Sequence, residues 1–267
     1  MAAPATQFLD LPPYSDGAGE GPPRRIAYIV RQGALDSAKP AVVWLTGLKS
    51  AMVSTKAQAL DDWARARGRM LVRLDYSGHG QSAGRFEDGR LGAWIEEARA
   101  VLATALPANA AVIVIGSSMG AHVALKLALE PSAARLAIQK LVLIAPAWDA
   151  PKALMWDRFT PEIRKTIEQT GVYMRPSRYG DGPYAITRGF IDDGLRHLLP
   201  DGPLALPCPV HILHGAEDPD VPLVHGQLLA SRLAPSGVTL EVIPDGDHRL
   251  SRPQDLVRLL AAIDPVA

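Results

Sequence analysis

The stretch that decides the fold is Val112-Ile113-Val114-Ile115-Gly116-Ser117-Ser118-Met119-Gly120. A short run of β-branched residues leads directly into a Gly-x-Ser-x-Gly pentapeptide, and a segment rich in small and apolar residues follows it. This order of strand, pentapeptide and helix is that of a nucleophile elbow, a turn so sharp that the positions flanking the serine must be small. The stretch therefore predicts that Ser118 is a nucleophile at the mouth of a cleft.

A second match to the pentapeptide, Gly80-Gln81-Ser82-Ala83-Gly84, tests how specific the first one is. The strand predicted before Ser82 ends well upstream, and a polar, loop-like segment follows. An elbow needs its strand and helix directly against the serine. We therefore interpret this second match as a glycine-rich loop that borders the site.

Around the pentapeptide, apolar runs alternate with helical segments. The runs are continuously apolar, as expected of strands buried on both faces of a parallel sheet. Strands that alternate with helices imply crossover connections and a mostly parallel sheet flanked by helices, which is the α/β class. The predicted strands are residues 26–30, 41–45, 70–74, 112–115, 140–144, 210–213 and 239–243, and the predicted helices are residues 55–67, 91–106, 118–130, 223–233 and 253–263.

One interval, residues 147–207, breaks the alternation because it contains no good strand. We predict helices over residues 161–170 and 184–198, joined by a loop rich in Gly, Pro and Arg. The domain organisation that follows is a loosely ordered arm over residues 1–23, a core over residues 24–146 and 208–267, and a helical insertion over residues 147–207.

Composition limits the classes of function. Lys and Arg together number 28, as do Asp and Glu, and no basic run is present, so the chain offers no electrostatic footprint for nucleic acid. No apolar stretch has the length of a transmembrane helix, and residues 1–23 lack the features of a secretory signal. The single cysteine, Cys208, excludes an intrachain disulfide and fits a buried apolar role better than a nucleophilic one. We expect a cytoplasmic protein.

The base and the acid that would activate Ser118 are sought downstream, because with this elbow the triad order is Ser, then Asp or Glu, then His. Of the seven histidines, only His248 follows the last predicted strand, in a loop beside Gly and Asp. The acid lies in the loop after residues 210–213, where Asp218 is favoured over Asp220 and Glu217 is third. Asp220 has an alternative role as a helix N-cap.

Two backbone amides are expected to bind the oxyanion of an acyl-transfer intermediate. One belongs to Met119, the residue after the nucleophile, and the other to the loop after the strand at residues 41–45, where we select Leu48. Donors of this kind are typically worth about 3 kcal/mol each. No metal or cofactor is implied by this chemistry.

With these residues identified, the chain resembles the α/β-hydrolase superfamily over residues 24–263, and more narrowly the palmitoyl-protein thioesterase type of alpha/beta hydrolase domain-containing proteins and its bacterial relatives. The resemblance places nucleophile, acid and base on Ser118, Asp218 and His248. It implies cleavage of fatty-acyl thioesters or esters, and a helical cap inserted after the sixth strand. The segments that carry it, besides the elbow, are residues 46–50, 55–57, 75–82, 175–179, 214–222 and 247–249.

The function expected from these features is that of a serine hydrolase, a fatty-acyl thioesterase or carboxylesterase acting on a small acyl substrate or an acylated protein. The acyl pocket is expected in the cap, with Trp148, Met155, Trp156 and Tyr179 as substrate contacts. Arg175 and Arg178, in the same interval, either meet an anionic group or are solvated loop charges. Two alternatives stay open: a small-ester, carbon–carbon or peptide hydrolase of the same mechanism, and a non-catalytic binding protein with this fold.

Overall fold

The computed structural model describes residues 4–16, 21–35, 39–130, 136–178 and 182–263. In these ranges the chain forms ten strands and seven helices. The strands are β1 (Thr6–Leu11), β2 (Arg24–Arg31), β3 (Ala41–Leu45), β4 (Leu71–Leu74), β5 (Ala110–Ser117), β6 (Leu136–Ile144), β7 (Val172–Arg175), β8 (Tyr184–Thr187), β9 (Val210–Gly215) and β10 (Val238–Ile243). The helices are α1 (Thr55–Arg67), α2 (Leu91–Ala105), α3 (Met119–Leu129), α4 (Pro161–Thr170), α5 (Arg188–Arg196), α6 (Leu223–Leu233) and α7 (Pro253–Ile263).

Eight of the strands form one sheet in the order β1-β2-β4-β3-β5-β6-β9-β10. The six strands from β4 to β10 in this order run parallel, whereas β2 is antiparallel to both β1 and β4. Strand β5, which ends at the elbow, lies near the centre with β3 on one side and β6 on the other. The predicted mostly parallel α/β sheet is confirmed, and it brings the ends of β3, β5, β9 and β10 to one edge, as expected of parallel strands.

Alternate residues of the central strands bury against different helices. In β3, Val43 and Leu45 join a core with α2, α3 and α6, whereas Val42 and Trp44 join a second core with α1 and α7. Both faces of the sheet are therefore covered, which explains why the strands read as continuous apolar runs. Within the described residues, no helix combines the length and apolarity that crossing a membrane requires.

The interval between β6 and β9 holds an insertion that is not purely helical. It begins with a π-helical turn (Pro151–Met155) and a 3₁₀ turn (Trp156–Arg158), and continues through α4 and α5. Between these helices, β7 and β8 pair as an antiparallel hairpin, Val172 opposite Thr187 and Arg175 opposite Tyr184. The expectation that this interval contains no strand is wrong, because two four-residue strands stabilised mainly by each other are too short to give a periodicity signal.

The prediction of a loosely ordered arm over residues 1–23 is wrong for Thr6–Leu11. These residues form β1, which extends the main sheet by pairing with β2 in a six-residue register. Further along, the Tyr14 hydroxyl donates a hydrogen bond to Asp193 Oδ1 of α5 at 3.0 Å. The alternating burial of an edge strand, with exposed Phe8 and Asp10, makes this segment look less like a strand than the central ones.

Candidate active site

The elbow is built at the point where β5 passes directly into α3. Ser118 is the only residue between them and has φ 53° and ψ −117°. A Cβ atom on Gly116 would lie 2.4 Å from the Gly120 carbonyl oxygen, and one on Gly120 would lie 2.2 Å from the Leu45 carbonyl oxygen. Both glycines are therefore required by contacts with backbone atoms, which cannot move aside.

Hydrogen bonds from two directions hold the Ser118 backbone in this conformation. Its amide donates to the Ile144 carbonyl at 2.8 Å, and its own carbonyl accepts from the amides of Ala121 and Ala147 at 3.0 and 3.1 Å. The serine is thus fixed by α3 and by the end of β6, where the inserted interval begins. The side chain is left to project into the cavity above the sheet.

His248 lies between Ser118 and Asp218 in a continuous hydrogen-bonded chain. Its Nε2 lies 3.0 Å from Ser118 Oγ, and its Nδ1 lies 2.8 Å from Asp218 Oδ2. The Asp218 side chain is fully buried, and the His248 side chain is 15% exposed. A base that contacts both the hydroxyl and a buried carboxylate is the arrangement that activates a serine.

The carboxylate that contacts His248 belongs to Asp218 and not to Asp220. Asp218 Oδ1 accepts the amide protons of Asp220 and Val221, both at 2.8 Å, which leaves Oδ2 for His248. Glu217 is turned away and exposed, and its amide donates to Gly246 in the loop that carries His248. The two loops after β9 and β10 are therefore joined by backbone as well as by side chains.

The same residues are the group that comes closest to a metal site in the described part of the chain. One ligand atom each from Asp218, Asp220 and His248 lie within 4.8 Å of one another. However, both oxygens of Asp218 and both ring nitrogens of His248 already have protein partners. The hydrogen-bonding pattern is therefore that of a proton-transfer chain, because an ion here would have to displace these contacts.

The loop after β3 lies against the elbow, where oxyanion donors are needed. A Cβ atom on Gly47 would lie 3.2 Å from Ser118 Cβ, so the chain passes close to the serine, and a turn closed by the Ser50 amide on the Gly47 carbonyl follows. Leu48 lies in this turn. Met119 is the first residue of α3, where an amide has no acceptor within its own helix. The assignment of these two amides to the oxyanion stays a prediction.

Above the serine lies a cavity of about 870 Å³, between the core loops and the inserted interval. Ser118, His248, Leu48 and Met119 all line it. The inserted interval supplies much of its apolar wall, which includes Leu154, Met155, Phe159, Ile163, Tyr173, Tyr184 and Phe190.

Of the three predicted substrate contacts that the structure describes, Met155 alone lines the cavity. Trp148 is buried elsewhere: its ring stacks on His225 with centroids 4.5 Å apart, and the Arg232 guanidinium lies 4.9 Å from it. Trp156 is half-buried against Arg164 and does not reach the cavity either. Both indoles therefore stabilise the packing of the inserted interval, and Tyr179 lies outside the described residues.

Lys56, which belongs to a segment that carries the family resemblance but to which the sequence assigns no role, is a further residue of the site. It lies in the first turn of α1, lines the cavity and is 9% exposed. Its Nζ donates to the Arg249 carbonyl and, at 3.3 Å, to Ser251 Oγ, so it ties α1 to the loop that carries His248. Burial lowers the pKa of Lys56 to about 8, and the nearby Asp247 carboxylate opposes that shift. A lysine at the start of a helix is normally exposed to solvent, so residue type and position do not predict that Lys56 is buried at the site.

Ser82 and Cys208, which the sequence offers as alternative nucleophiles, and the buried His122 of α3 have structural roles in the described residues. The Ser82 hydroxyl donates to the Asp75 carbonyl at 2.7 Å and accepts the Ala27 amide at 2.8 Å, which joins its loop to β2. Burial raises the pKa of the Cys208 thiol to about 11, which keeps it protonated and unreactive. His122 accepts the Asp149 amide at Nδ1, and its Nε2 lies 3.0 Å from the His197 carbonyl.

Comparison with known proteins gives three concordant matches. Residues 36–187 match the family model described as serine aminopeptidase, S33. Palmitoyl-protein thioesterase ABHD10, mitochondrial, from Pongo abelii is 30% identical over 233 residues, which cover 86% of this chain and 74% of that protein. The chain also superimposes on alpha/beta hydrolase domain-containing protein 10 from mouse, with a TM-score of 0.82, 27% identity and coverage of 97% of both chains.

A bacterial crystal structure is more similar still. A candidate hydrolase from Agrobacterium vitis S4 has a TM-score of 0.87 and 38% identity, and the match covers 97% of this chain and 98% of that one. The whole architecture, including the inserted interval, therefore recurs in these proteins.

Proposed function

Because the chain belongs to the serine aminopeptidase S33 family of α/β hydrolases and is related to the ABHD10 thioesterases, we propose that it is a serine hydrolase of fatty-acyl thioesters or esters. The observation that carries this proposal is the hydrogen-bonded chain from Ser118 through His248 to Asp218. The names of the relatives support a hydrolase of the thioesterase kind, and the geometry supports an acyl-serine mechanism.

In the proposed reaction, Ser118 Oγ attacks the acyl carbonyl while its proton passes to His248 Nε2. Asp218 remains ionised, keeps the Nδ1 proton on the ring and stabilises the imidazolium. The amides of Leu48 and Met119 bind the oxyanion. When the intermediate collapses, His248 protonates the leaving group, and it then activates a water molecule that hydrolyses the acyl-serine.

The shape of the cavity supports an acyl substrate. A volume of about 870 Å³ lies in the upper part of the range for ligand pockets, and aliphatic and aromatic side chains of the inserted interval form one wall. An acyl chain would bury its methylenes there at roughly 0.8 kcal/mol each. Met155, Phe159 and Tyr173 are the residues we assign to this contact.

The family description also names an aminopeptidase, but the polar lining of the cavity disfavours that activity. Among the described residues that line it, Asp220 is the single carboxylate, whereas six Lys or Arg side chains are present. The charged amino terminus of a peptide would be repelled by these cations. An ester or a thioester carries no such charge, so we favour it.

Fluorophosphonate labelling tests the nucleophile. The wild-type protein is expected to be labelled, and Ser118→Ala is expected to lose all labelling because no activated hydroxyl remains. Ser82→Ala is the matched control: it removes the serine of the second Gly-x-Ser-x-Gly pentapeptide and should be labelled like the wild type. Equal labelling of wild type and Ser118→Ala would contradict the proposed nucleophile, and the binding-protein alternative would then be favoured.

A panel of acyl esters and acyl thioesters of graded chain length tests the substrate. We expect kcat/KM to rise with chain length from two to at least eight carbons, because added methylenes contact the apolar wall. Activity confined to the shortest esters would contradict the fatty-acyl assignment and favour a small-ester hydrolase. The cytoplasmic location stays a prediction from the sequence.

A further inference from the structure

The charge of the chain is unevenly distributed around the cavity. Basic and acidic residues balance over the sequence, 28 of each. Among the described residues that line the cavity, however, Asp220 is the only acid, and it faces six bases. A neutral acyl group forms no ion pair with these bases, so the excess of positive charge points to another part of the substrate. The six bases are Lys49, Lys56, Arg158, Arg175, Arg178 and Arg249.

Two of these cations are adjacent in sequence to groups of the proposed reaction centre. Lys49 follows Leu48, and Arg249 follows His248. Under the proposed mechanism, His248 Nε2 delivers its proton to the leaving atom. Because Lys49 and Arg249 line the cavity beside these groups, we assign their side of the cavity to the leaving group and the apolar wall of the inserted interval to the acyl chain.

A third cation, Arg175, is connected to Lys49 through Tyr184. The two residues are paired across the β7–β8 hairpin, and Lys49 Nζ lies 5.3 Å from the centre of the Tyr184 ring. Burial raises the pKa of the Tyr184 phenol, the Arg175 guanidinium opposes that shift, and the Asp220 carboxylate adds to it, so both charged groups lie near the ring. Asp220 is in turn within 4.8 Å of a ring nitrogen of His248. Lys49 and Arg175 are thus connected through Tyr184 and Asp220 to the reaction centre, and the other cations line the same cavity.

Several cations of the inserted interval that lie outside the cavity have carboxylate partners, which the cavity-lining Arg175 and Arg178 lack in the described residues. Lys152, Arg188 and Arg196 lie outside the cavity, and each forms an ion pair with an aspartate at 2.7–3.3 Å. In the part of the chain that the structure describes, Arg175 and Arg178 have no such carboxylate. Uncompensated guanidinium groups at a cavity wall repel one another, and an anionic ligand with several charges would relieve that repulsion.

Resting on the proposed function, we infer that this polar wall binds the leaving group of the substrate, and that the leaving group is a phosphorylated thiol. Guanidinium groups bind phosphate oxygens through two parallel hydrogen bonds, and several cations match a phosphate better than a single carboxylate. The reaction needs only water: the acyl C–S bond breaks, the bond to Ser118 Oγ forms, and the serine proton passes through His248 to the thiolate.

Octanoyl thioesters that share one thiol end and differ in charge test this inference. The series runs from N-acetylcysteamine, which is uncharged, through 4′-phosphopantetheine to coenzyme A, with glutathione as the carboxylate comparison. We expect kcat/KM to rise at least tenfold from the N-acetylcysteamine thioester to the coenzyme A thioester. This increase should be smaller at 500 mM than at 50 mM salt, because salt screens the attraction between the cations and the phosphate. Equal values across the series would overturn the inference and leave the proposed hydrolase intact.

Matched variants locate the effect. The double change Arg175→Gln and Arg178→Gln should lower the ratio of kcat/KM for the phosphorylated and uncharged thioesters at least fivefold, whereas Arg188→Gln, outside the cavity, should keep the wild-type ratio. Equal ratios in all three proteins, or a preference for the glutathione thioester, would overturn the assignment. Titration of Ser118→Ala with the uncharged and phosphopantetheine thioesters measures the preference without turnover, so equal Kd values would overturn it even if catalysis failed.

Discussion

The backbone of Ser118 has φ 53° and ψ −117°, which a residue with a Cβ atom adopts only when its surroundings force it. Such conformations cost about 1–3 kcal/mol and persist where neighbouring contacts over-determine them. Here the contacts are the Ile144, Ala121 and Ala147 backbone groups on both sides of the serine. The contacts at the junction of β5 with α3 therefore maintain this strained conformation, which holds the Ser118 hydroxyl against His248.

Replacing each of the two aspartates by asparagine separates their roles. Asp218→Asn should lower kcat about 10³- to 10⁴-fold, because an amide at this position stabilises neither the Nδ1 proton nor the imidazolium. Asp220→Asn is the matched control and should keep kcat within about tenfold, because the backbone amide of Asp220, which the change retains, is what it contributes to Asp218. The measurement is kcat on a short-chain ester, and a larger loss in Asp220→Asn would contradict the assignment.

For single residues, the sequence predicts which positions belong to the site better than it predicts where their side chains point. Ser118 and His248 follow from the order of strands and loops along the chain. The position of the loop residues relative to the strand end favours Asp218 over Asp220, and the contact of Asp218 Oδ2 with His248 Nδ1 agrees with that preference. The direction of a side chain is harder to predict: the position of Trp148 in the inserted interval predicts a substrate contact, whereas its indole stacks on His225.

Among the elements, those with a continuous apolar run or a regular apolar spacing are predicted closely, and three short strands are not. The predicted bounds of α1, α6 and α7 agree with the structure, because apolar spacing and flanking residues define them. Strand β1 and the β7–β8 hairpin were missed. Strands β7 and β8 are four residues long, and β1 is half-buried or exposed along its length and lacks a run of β-branched residues, so periodicity is a weak signal there.

Gly120 provides a test of how rigid the elbow is. In Gly120→Ala the added Cβ would lie 2.2 Å from the Leu45 carbonyl oxygen and 2.6 Å from that of Thr46, and both atoms belong to the backbone. We expect the free energy of unfolding in urea to fall by about 3 kcal/mol or more, because the strand and helix must separate to admit the methyl group. Gly21→Ala is the control: its Cβ would make an ordinary 3.4 Å contact, so a change within about 0.5 kcal/mol is expected. Similar losses in both variants would show that close approach at the elbow is not the cause.

Over the whole molecule, buried polar residues connect the core to the inserted interval. The buried Asp193 of α5 accepts from the Gly92 amide of α2 at 2.8 Å and from the Tyr14 hydroxyl at 3.0 Å. On the other side of the interval, His122 of α3 contacts the backbone of Asp149 and His197. Both ends of the inserted interval are thus fixed to helices on one face of the sheet. These contacts hold the cavity wall in a fixed position relative to the elbow.

His122 accepts an amide proton and must therefore be neutral in the folded protein. Buried neutral histidines of this kind make the stability depend on pH. Burial lowers the pKa of His122 to about 3, and those of His79 and His225 to about 4, from an ordinary value near 6.5. Between pH 4 and 6.5 the unfolded chain therefore binds protons at these three positions that the folded chain does not. The stability they support is present above pH 6.5 and is lost as the pH falls.

Glu97 opposes this trend but does not cancel it. Burial raises its pKa to about 7, so between pH 4.5 and 7 the folded chain holds a proton there that the unfolded chain has released. Taken by themselves, these four groups give an uptake of about two protons on unfolding near pH 5, which corresponds to a slope of roughly 3 kcal/mol per pH unit. Burial also lowers the pKa of His197 and His214, which adds to that uptake, and raises the pKa of Asp75 and Asp149, which opposes it. Urea unfolding at intervals between pH 4.5 and 6.5 measures that slope. His225→Gln should reduce it by about one proton's contribution, because the amide cannot titrate, and a slope near zero in the wild-type protein would mean that the three histidines do not remain neutral in the folded state.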